Sequence, residues 1–349
     1  MHDPAEIVRR KDEHLDIALK QGARNGSAGF DQVRFAHCAA PELHLDHIDL
    51  GRRFLGWSLA LPFLISSMTG GPARGAAINT HLAEAAEQLR IPLAVGSQRV
   101  GLEGGPAAGI GRELRKTAPN IPILANLGGA QLVLGYGVDE ARRAMDDIGA
   151  DGLIIHLNPL QEAIQPGGDR DWRGVLAAIE VLCRTLERPL IVKEVGYGIS
   201  ADLCVRLANL GVAAIDVAGS GGTSWALIEA ERHSDGGRRA IGQAFGQWGI
   251  PSALALVEAR RACPDTPLIG SGGVRDGVDA AKAIRLGADL VGQAGGVLKA
   301  AMTSTQAVLD HFGVLAEQLR IVCFCTGSRD LAALRSAQLL PDALPVHDL

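Results

Sequence analysis

No segment of this chain stays apolar for the roughly 18 residues that a membrane-spanning helix requires. No basic stripe stands out against a formal net charge of −5. Neither a membrane span nor a nucleic-acid partner is therefore expected. The N-terminal MHDPAEIVRRKDEHLD is charged and lacks an apolar centre, so it does not read as a signal peptide. Cysteines are few and scattered: Cys38, Cys183, Cys204, Cys263, Cys323 and Cys325. Cys323 and Cys325 have neither a second pair nor a histidine nearby, which favours two small buried residues over a metal site. Such usage suits the reduced cytoplasm. Missing too is any G-x-G-x-x-G after the first strand-like run, which argues against an open doubly wound sheet.

The composition, 47% hydrophobic and 21% charged, is that of a globular protein. A (β/α)8 barrel takes about 250 residues, so 349 residues fit one barrel with additions, or two ordinary domains. The order of elements decides. Eight short apolar runs recur, each ending in polar or small residues: 62–69, 93–98, 123–128, 152–158, 190–196, 214–219, 268–273 and 290–296. They are apolar almost throughout, as parallel strands buried on both faces are. Between them lie amphipathic helical stretches, several stopping at a glycine: Gly149, Gly211 and Gly287. Strand and helix alternating eight times predict an α/β fold, a closed (β/α)8 TIM barrel over 62–335. An N-terminal extension, 1–61, precedes it, with a strand-like LHLDHIDL and a second candidate in RRFLGWSLAL forming a hairpin across the barrel bottom. A C-terminal tail, 336–349, carries no functional signal. The polar stretch within 224–250 reads as a long loop above the active face.

In such barrels the site forms at the C-terminal strand ends. Polar and glycine residues concentrate there: Ser66 and Ser67, Ser97 to Arg99, Asn126, His156, Asn158, Gln161 and Glu162, Lys193 and Glu194, Asp216, Gly219 to Thr223, Ser271 to Arg275, and Gln293 to Gly296. The glycine pairs Gly272-Gly273 and Gly295-Gly296 let backbone N–H groups approach an anion, and a helix start adds its positive end, so these two ends read as a phosphate cradle. Lys193 has three readings: Schiff-base nucleophile, cation beside a cofactor, or interior ion-pair partner. Glu162, with no second metal-type ligand at close spacing, suits Mg2+ held jointly with a substrate phosphate, or a solvated helix cap. Arg10-Lys11-Asp12-Glu13-His14 reads by itself as a solvated first turn. His44-x-x-His47 has metal-like spacing but lies away from the rim, which favours a surface placement.

Together these segments resemble one family, the type 2 isopentenyl diphosphate isomerases, which use FMN. The resemblance spans the N-terminus and nearly the whole barrel: Arg10-Lys11-Asp12-Glu13-His14, Ser67-Met68-Thr69-Gly70-Gly71, Gly96-Ser97-Gln98-Arg99, Asn126-Leu127-Gly128, His156 through Glu162, Val192 through Gly196, Gly221 through Trp225, and Gly272 through Gly277. The glycine-rich end of the seventh strand is shared by many FMN barrels. The H-x-N-x-x-Q-E segment joined to R-K-x-E-H is specific to this one.

The resemblance implies that Ser67, Met68, Thr69, Ser97, Asn126, Lys193 and Thr223 line the flavin, and that Gly273, Val274, Arg275, Ala294 and Gly295 wrap its phosphate. It implies that Arg10, Lys11, Ser97, Gln98, Arg99, His156, Asn158 and Gln161 hold the diphosphate substrate, with Glu162 on Mg2+. Gln161, Lys193 and His156 are the catalytic candidates. Ala218 departs from the pattern, since many relatives carry Ser there. The implied reaction interconverts isopentenyl and dimethylallyl diphosphate with no net redox, with reduced FMN as acid and base. NAD(P)H as reductant and a tetrameric or octameric homo-oligomer follow from the same resemblance. Rival FMN barrels fit less well. A 2-hydroxyacid oxidoreductase needs a histidine base that 271–275 lacks. An inosine monophosphate dehydrogenase needs a rim cysteine, whereas Cys263 precedes the seventh strand. A non-catalytic flavin-binding scaffold has no need of His156, Gln161 and Glu162.

Overall fold

All eight predicted runs contain strands of one closed parallel barrel. A computed structural model of the chain describes residues 13–18, 26–67, 73–105 and 109–341. The barrel strands are β3 Phe63–Ile65, β4 Leu93–Ala94, β5 Ile123–Gly128, β6 Gly152–Leu157, β7 Leu190–Glu194, β8 Ala214–Asp216, β9 Leu268–Gly270 and β10 Leu290–Gln293, with β10 closing onto β3. Helices such as Ala73–Leu89, Val138–Ile148, Val175–Thr185, Ala201–Asn209, Ser252–Ala262 and Gly277–Arg285 return the chain outside. Gly149, Gly211 and Gly287 carry the positive φ that ends their helices (62°, 90° and 119°).

Successive side chains of a strand face opposite ways, and this alternation builds two different layers. Ile65, Val95, Leu127, Ile155, Val192, Ile215, Leu268 and Val291 point outward and join the core shared with the helices. Leu64, Ala94, Leu124, Ile154, Ile191, Ala214, Ile269 and Leu290, one from each strand, form a separate apolar cluster inside the barrel. Phe54 and Leu59 belong to that same interior cluster. They come from the hairpin of β1, Arg52–Phe54, and β2, Trp57–Leu59. Its two-residue turn, Leu55-Gly56, has positive φ at both positions (48° and 88°), the conformation that matches strand twist in a tight hairpin. The hairpin plugs the barrel bottom. Asp289 latches it there, accepting from Arg52, from Arg335 at 2.6 Å and from Arg260 at 2.8 Å.

Two sequence expectations need correction. LHLDHIDL is not a strand. It holds a short 3-10 turn, Leu45–His47, in which the His44 Nδ1 accepts the Asp46 N–H, and both hairpin strands come from RRFLGWSLAL. Its alternation reflects Ile48 and Leu50 packing on the core without a strand partner. The stretch 224–250 is not one long loop but contains two helices, Trp225–Arg232 and Gly236–Gln243. Their N-caps prevail over the glycines and charges: Ser224 accepts from Leu227 N–H and Asp235 from Arg238 N–H.

Candidate active site at the barrel mouth

Two residues beyond the apolar interior layer, the same inward face turns polar. On β5 Leu124 leads to Asn126, on β6 Ile154 to His156, on β7 Ile191 to Lys193 and on β8 Ala214 to Asp216. Just past β3 and β9 stand Ser66 and Ser271. Gly292 of β10 lies between them, since a Cβ there would stand 2.9 Å from the Ser271 Cβ and 3.7 Å from the Ser66 Cβ. The period of two thus lays a polar ring on an apolar floor.

The ring is wired. Asn126 donates from Nδ2 to Ser67 Oγ at 2.7 Å, and its Oδ1 lies 2.7 Å from His156 Nδ1. With Oδ1 as acceptor, the imidazole carries its proton on Nδ1. Asp216 is 1% exposed; its Oδ1 accepts from Ser271 Oγ at 2.7 Å and from the Ala218 N–H at 3.2 Å. Burial raises the Asp216 pKa, and the nearby Lys193 charge works against that rise. Lys193 donates to the Glu194 carbonyl at 2.6 Å. Glu194 faces outward, and its Oε2 accepts the N–H groups of Val195, Gly196 and Tyr197, fixing the loop after β7. Ala218 holds φ 36°, a conformation rare outside glycine, beside Asp216.

A second wall rises after β6 on the helix Pro159–Ile164. Asn158 donates to Gln161 Oε1 at 3.1 Å and to Glu162 Oε1 at 3.0 Å, while its own Oδ1 is buried with no hydrogen-bond partner among the described residues. Glu162 Oε2 accepts from the Asp169 N–H at 2.8 Å and from Gln165 at 3.3 Å. Arg99 meets Glu103 at 2.9 Å and Asp169 at 3.0 Å.

Sequence reasoning missed Glu229. This carboxylate, 0% exposed, accepts from Gln161 Nε2 at 3.2 Å and from Arg232 at 2.6 Å, and lies 2.9 Å from His14 Nε2. Burial alone would raise its pKa; the His14 and Arg232 charges, with the hydrogen bonds, bring it down to about 2. The signal was present in the helix Trp225–Arg232, where Glu229 shares the buried face with Ala226 and Ala230.

The glycine loops after β8, β9 and β10 come together. A Cβ on Gly222 would stand 2.7 Å from the Gly273 nitrogen, and one on Gly295 2.9 Å from Thr223 Oγ1. Gly272 (φ 95°) and Gly273 (φ 72°) take a conformation open to glycine, and a Cβ on Gly272 would meet the Gly219 carbonyl oxygen at 2.1 Å. Helices Gly277–Arg285 and Gly295–Thr303 begin at this cradle. Gln293 ties its parts together, donating to the Val274 carbonyl at 3.0 Å and facing His311 Nε2 at 2.6 Å. Close-approach backbone, helix starts and a ring with a buried orphaned carboxylate oxygen, Asp216 Oδ2, suit a phosphorylated planar cofactor seated across the mouth.

Of the expected site residues, Asn126, His156, Asn158, Gln161, Glu162, Lys193, Thr223, Gly273 and Gly295 lie at or just past the C-terminal strand ends. The Gln98 side chain is engaged in packing, donating to Ala144 O at 2.8 Å and accepting the Asn126 N–H at 3.0 Å. Arg275 pairs with Asp279 at 2.8 Å. Arg10, Lys11, Met68 and Thr69 lie outside the described residues. His44 and His47 stack at the surface, 4.4 Å apart. Among the described residues no group of three or more His, Cys, Asp or Glu side chains is placed to hold a metal, and no helix is long and apolar enough to cross a membrane.

Fold, mouth and family model together define an FMN-dependent barrel enzyme. Residues 165–341 match the family model of the FMN-dependent dehydrogenases. Solved structures of the same fold include a variant of flavocytochrome b2 with sulfite bound (TM-score 0.68, 16% identity, 99% of this chain and 88% of that one). A point mutant of the active chimera of (S)-mandelate dehydrogenase is another (TM-score 0.67, 16% identity, 97% and 99%). At such identities the likeness shows the fold alone. Full-length relatives narrow it. The isopentenyl-diphosphate delta-isomerase of Xanthobacter autotrophicus is 63% identical over 97% of this chain and 98% of its own length. That of Stutzerimonas stutzeri is 64% identical over 96% and 97%. The chain belongs to the isopentenyl-diphosphate delta-isomerase family.

Proposed function

We propose that this chain interconverts isopentenyl and dimethylallyl diphosphate, with reduced FMN held at the barrel mouth and Mg2+ held by Glu162 together with the substrate diphosphate. The observation that carries the reading is the single mouth shared by the polar ring, the glycine cradle and the Asn158–Gln161–Glu162 wall. The activity of the full-length relatives supplies the substrate.

The two diphosphates differ only in the position of a double bond. One carbon gains a proton and another loses one, so the balance needs no oxidant. Reduced FMN, when bound, would supply the acid and base for that proton exchange. The chain's own residues orient and stabilise. Ser67, Ser97, Asn126 and Thr223, with Met68 and Thr69, line the flavin, and Gly273, Val274, Arg275, Ala294 and Gly295 hold its phosphate. Lys193 sets an ammonium beside the ring, where negative charge is stabilised best in a water-poor site. His156, oriented through Nδ1 by Asn126, binds the diphosphate with Arg10, Lys11, Ser97, Arg99 and Asn158. Gln161, steadied by Glu229, faces the reacting carbons. Glu162 is a lone carboxylate already oriented by Asn158 and the Asp169 N–H, and one carboxylate plus substrate phosphates is a common Mg2+ arrangement. NAD(P)H as reductant, a cytoplasmic location and a tetrameric or octameric homo-oligomer complete the proposal.

The test is anaerobic. The chain is given FMN, Mg2+ and NADPH or dithionite, then isopentenyl diphosphate in deuterated water, and the product is followed by NMR. Deuterated dimethylallyl diphosphate with no NADPH consumed per turnover is the expected result. A bound, reducible flavin with no product would leave barrel and cofactor standing and sink the isomerase.

A further inference from the structure

We infer that Asp216, held by Ser271, is a positioning residue that fixes the ammonium group of Lys193 at the edge of the flavin. The inference rests on the FMN reading above and adds a residue to it.

Three observations carry it. First, Lys193 and Asp216 are Cα partners across β7 and β8, and each lies two residues beyond an interior apolar residue of its strand, Ile191 and Ala214. Both side chains therefore enter the barrel at neighbouring points, one strand spacing apart, about 4.8 Å. Secondly, both hydrogen bonds to the Asp216 carboxylate fall on one oxygen: Ser271 Oγ and the Ala218 N–H both donate to Oδ1. Oδ2 is buried and has no hydrogen-bond partner among the described residues. A buried carboxylate oxygen without a donor is costly, and native structures rarely leave one so. Thirdly, among the described residues Lys193 is the one Lys or Arg in the ring, and it donates to a carbonyl of its own strand, Glu194 O. An ammonium group has three N–H donors in all.

The lysine head thus has two alternative acceptors. Against the Glu194 carbonyl it lies along its own strand. Asp216 Oδ2, level with Lys193 on the neighbouring strand, offers the second acceptor, and an ammonium drawn to it stands over the barrel interior. Ser271 and the Ala218 N–H occupy Oδ1 and so leave Oδ2 for the ammonium. Asp216 acts through Lys193, as a counter-charge that holds it in place, and does not touch substrate.

The experiment measures the midpoint potential of bound FMN, by spectroscopic equilibration against reference dyes, in the FMN-loaded wild-type enzyme and four variants. Lys193→Met is expected to weaken the preference for reduced over oxidised FMN by about tenfold, a downward shift of about 30 mV for a two-electron couple. Asp216→Asn shifts the potential the same way by a smaller amount, and lowers it no further when combined with Lys193→Met. Ser271→Ala gives a lesser downward shift, and it carries the test if Asp216→Asn does not fold. A rise in potential in Asp216→Asn would mean that the carboxylate acts on the ring directly, and would overturn the positioning role. So would an unchanged potential in a variant with FMN bound. Either result leaves the FMN reading intact. A wild-type chain that takes up no FMN would overturn that reading, and this inference with it.

Discussion

His14 and Glu229 stand 215 residues apart in the chain and 2.9 Å apart in the fold, the imidazole Nε2 against a carboxylate with no exposed surface. Glu229 also holds Gln161 and Arg232, so one buried charge joins the N-terminal segment, the wall after β6 and the helix Trp225–Arg232.

Glu229→Gln leaves Arg232 and His14 without that charge. Breaking a buried pair from one side costs about 3–5 kcal/mol, and urea denaturation should show a loss of that order together with reduced turnover. The pH dependence follows from the depressed pKa. The folded carboxyl titrates at about 2, below the ordinary 4.5, so its contribution is complete above 4.5 and is lost as pH falls toward 2. The wild type and Glu229→Gln should converge in stability over that acid range. Curves that stay parallel would remove Glu229 from the account.

Gly272→Ala places a methyl group 2.1 Å from the Gly219 carbonyl oxygen at a φ of 95°. The left-handed conformation alone costs about 1–2 kcal/mol, and the clash forces the cradle open. FMN affinity, read by fluorescence titration, should fall by about a hundredfold or more, the ~3 kcal/mol expected when clash adds to strain. Unchanged affinity would move the phosphate elsewhere.

Asn126→Ala removes the group that joins Ser67 to His156. If His156 binds a charged diphosphate, losing its orientation should lower kcat/KM by about tenfold to a hundredfold, the size of a hydrogen bond to a charged group. Most of the change should appear in KM for the diphosphate.

Glu162→Gln keeps the side-chain shape but loses the anion. Activity should fall and no longer respond to Mg2+ titration. Full activity with an unchanged Mg2+ dependence would remove Glu162 as the metal ligand.

Much of this was legible in the sequence because burial on two faces leaves unbroken apolar runs, as in Leu153-Ile154-Ile155 and Ile191-Val192. Residues such as Asn126, Lys193 and Asp216 stood out as polar ends to those runs. Glu229 did not, because a glutamate in a helix ordinarily faces water, and only tertiary structure brings His14 to it. The helices within 224–250 were hidden by Gly236 and Gly237 and by dense charge, which local propensity reads as loop although the caps at Ser224 and Asp235 were in plain view. Pairings such as Arg275 with Asp279, or Gln98 with Ala144, depend on rotamers that no periodicity encodes.

Among the described residues, the hairpin that packs on the barrel bottom leaves the C-terminal rim as the open end of the barrel. Under the proposed function, cofactor, reductant and substrate all use that rim, because Phe54 and Leu59 fill the floor. Under the proposed function, the reductant and isopentenyl diphosphate must therefore take turns. A filled site shuts out the hydride donor, so the flavin is reduced before the substrate arrives. Excess substrate should slow the first reduction without slowing later turnovers.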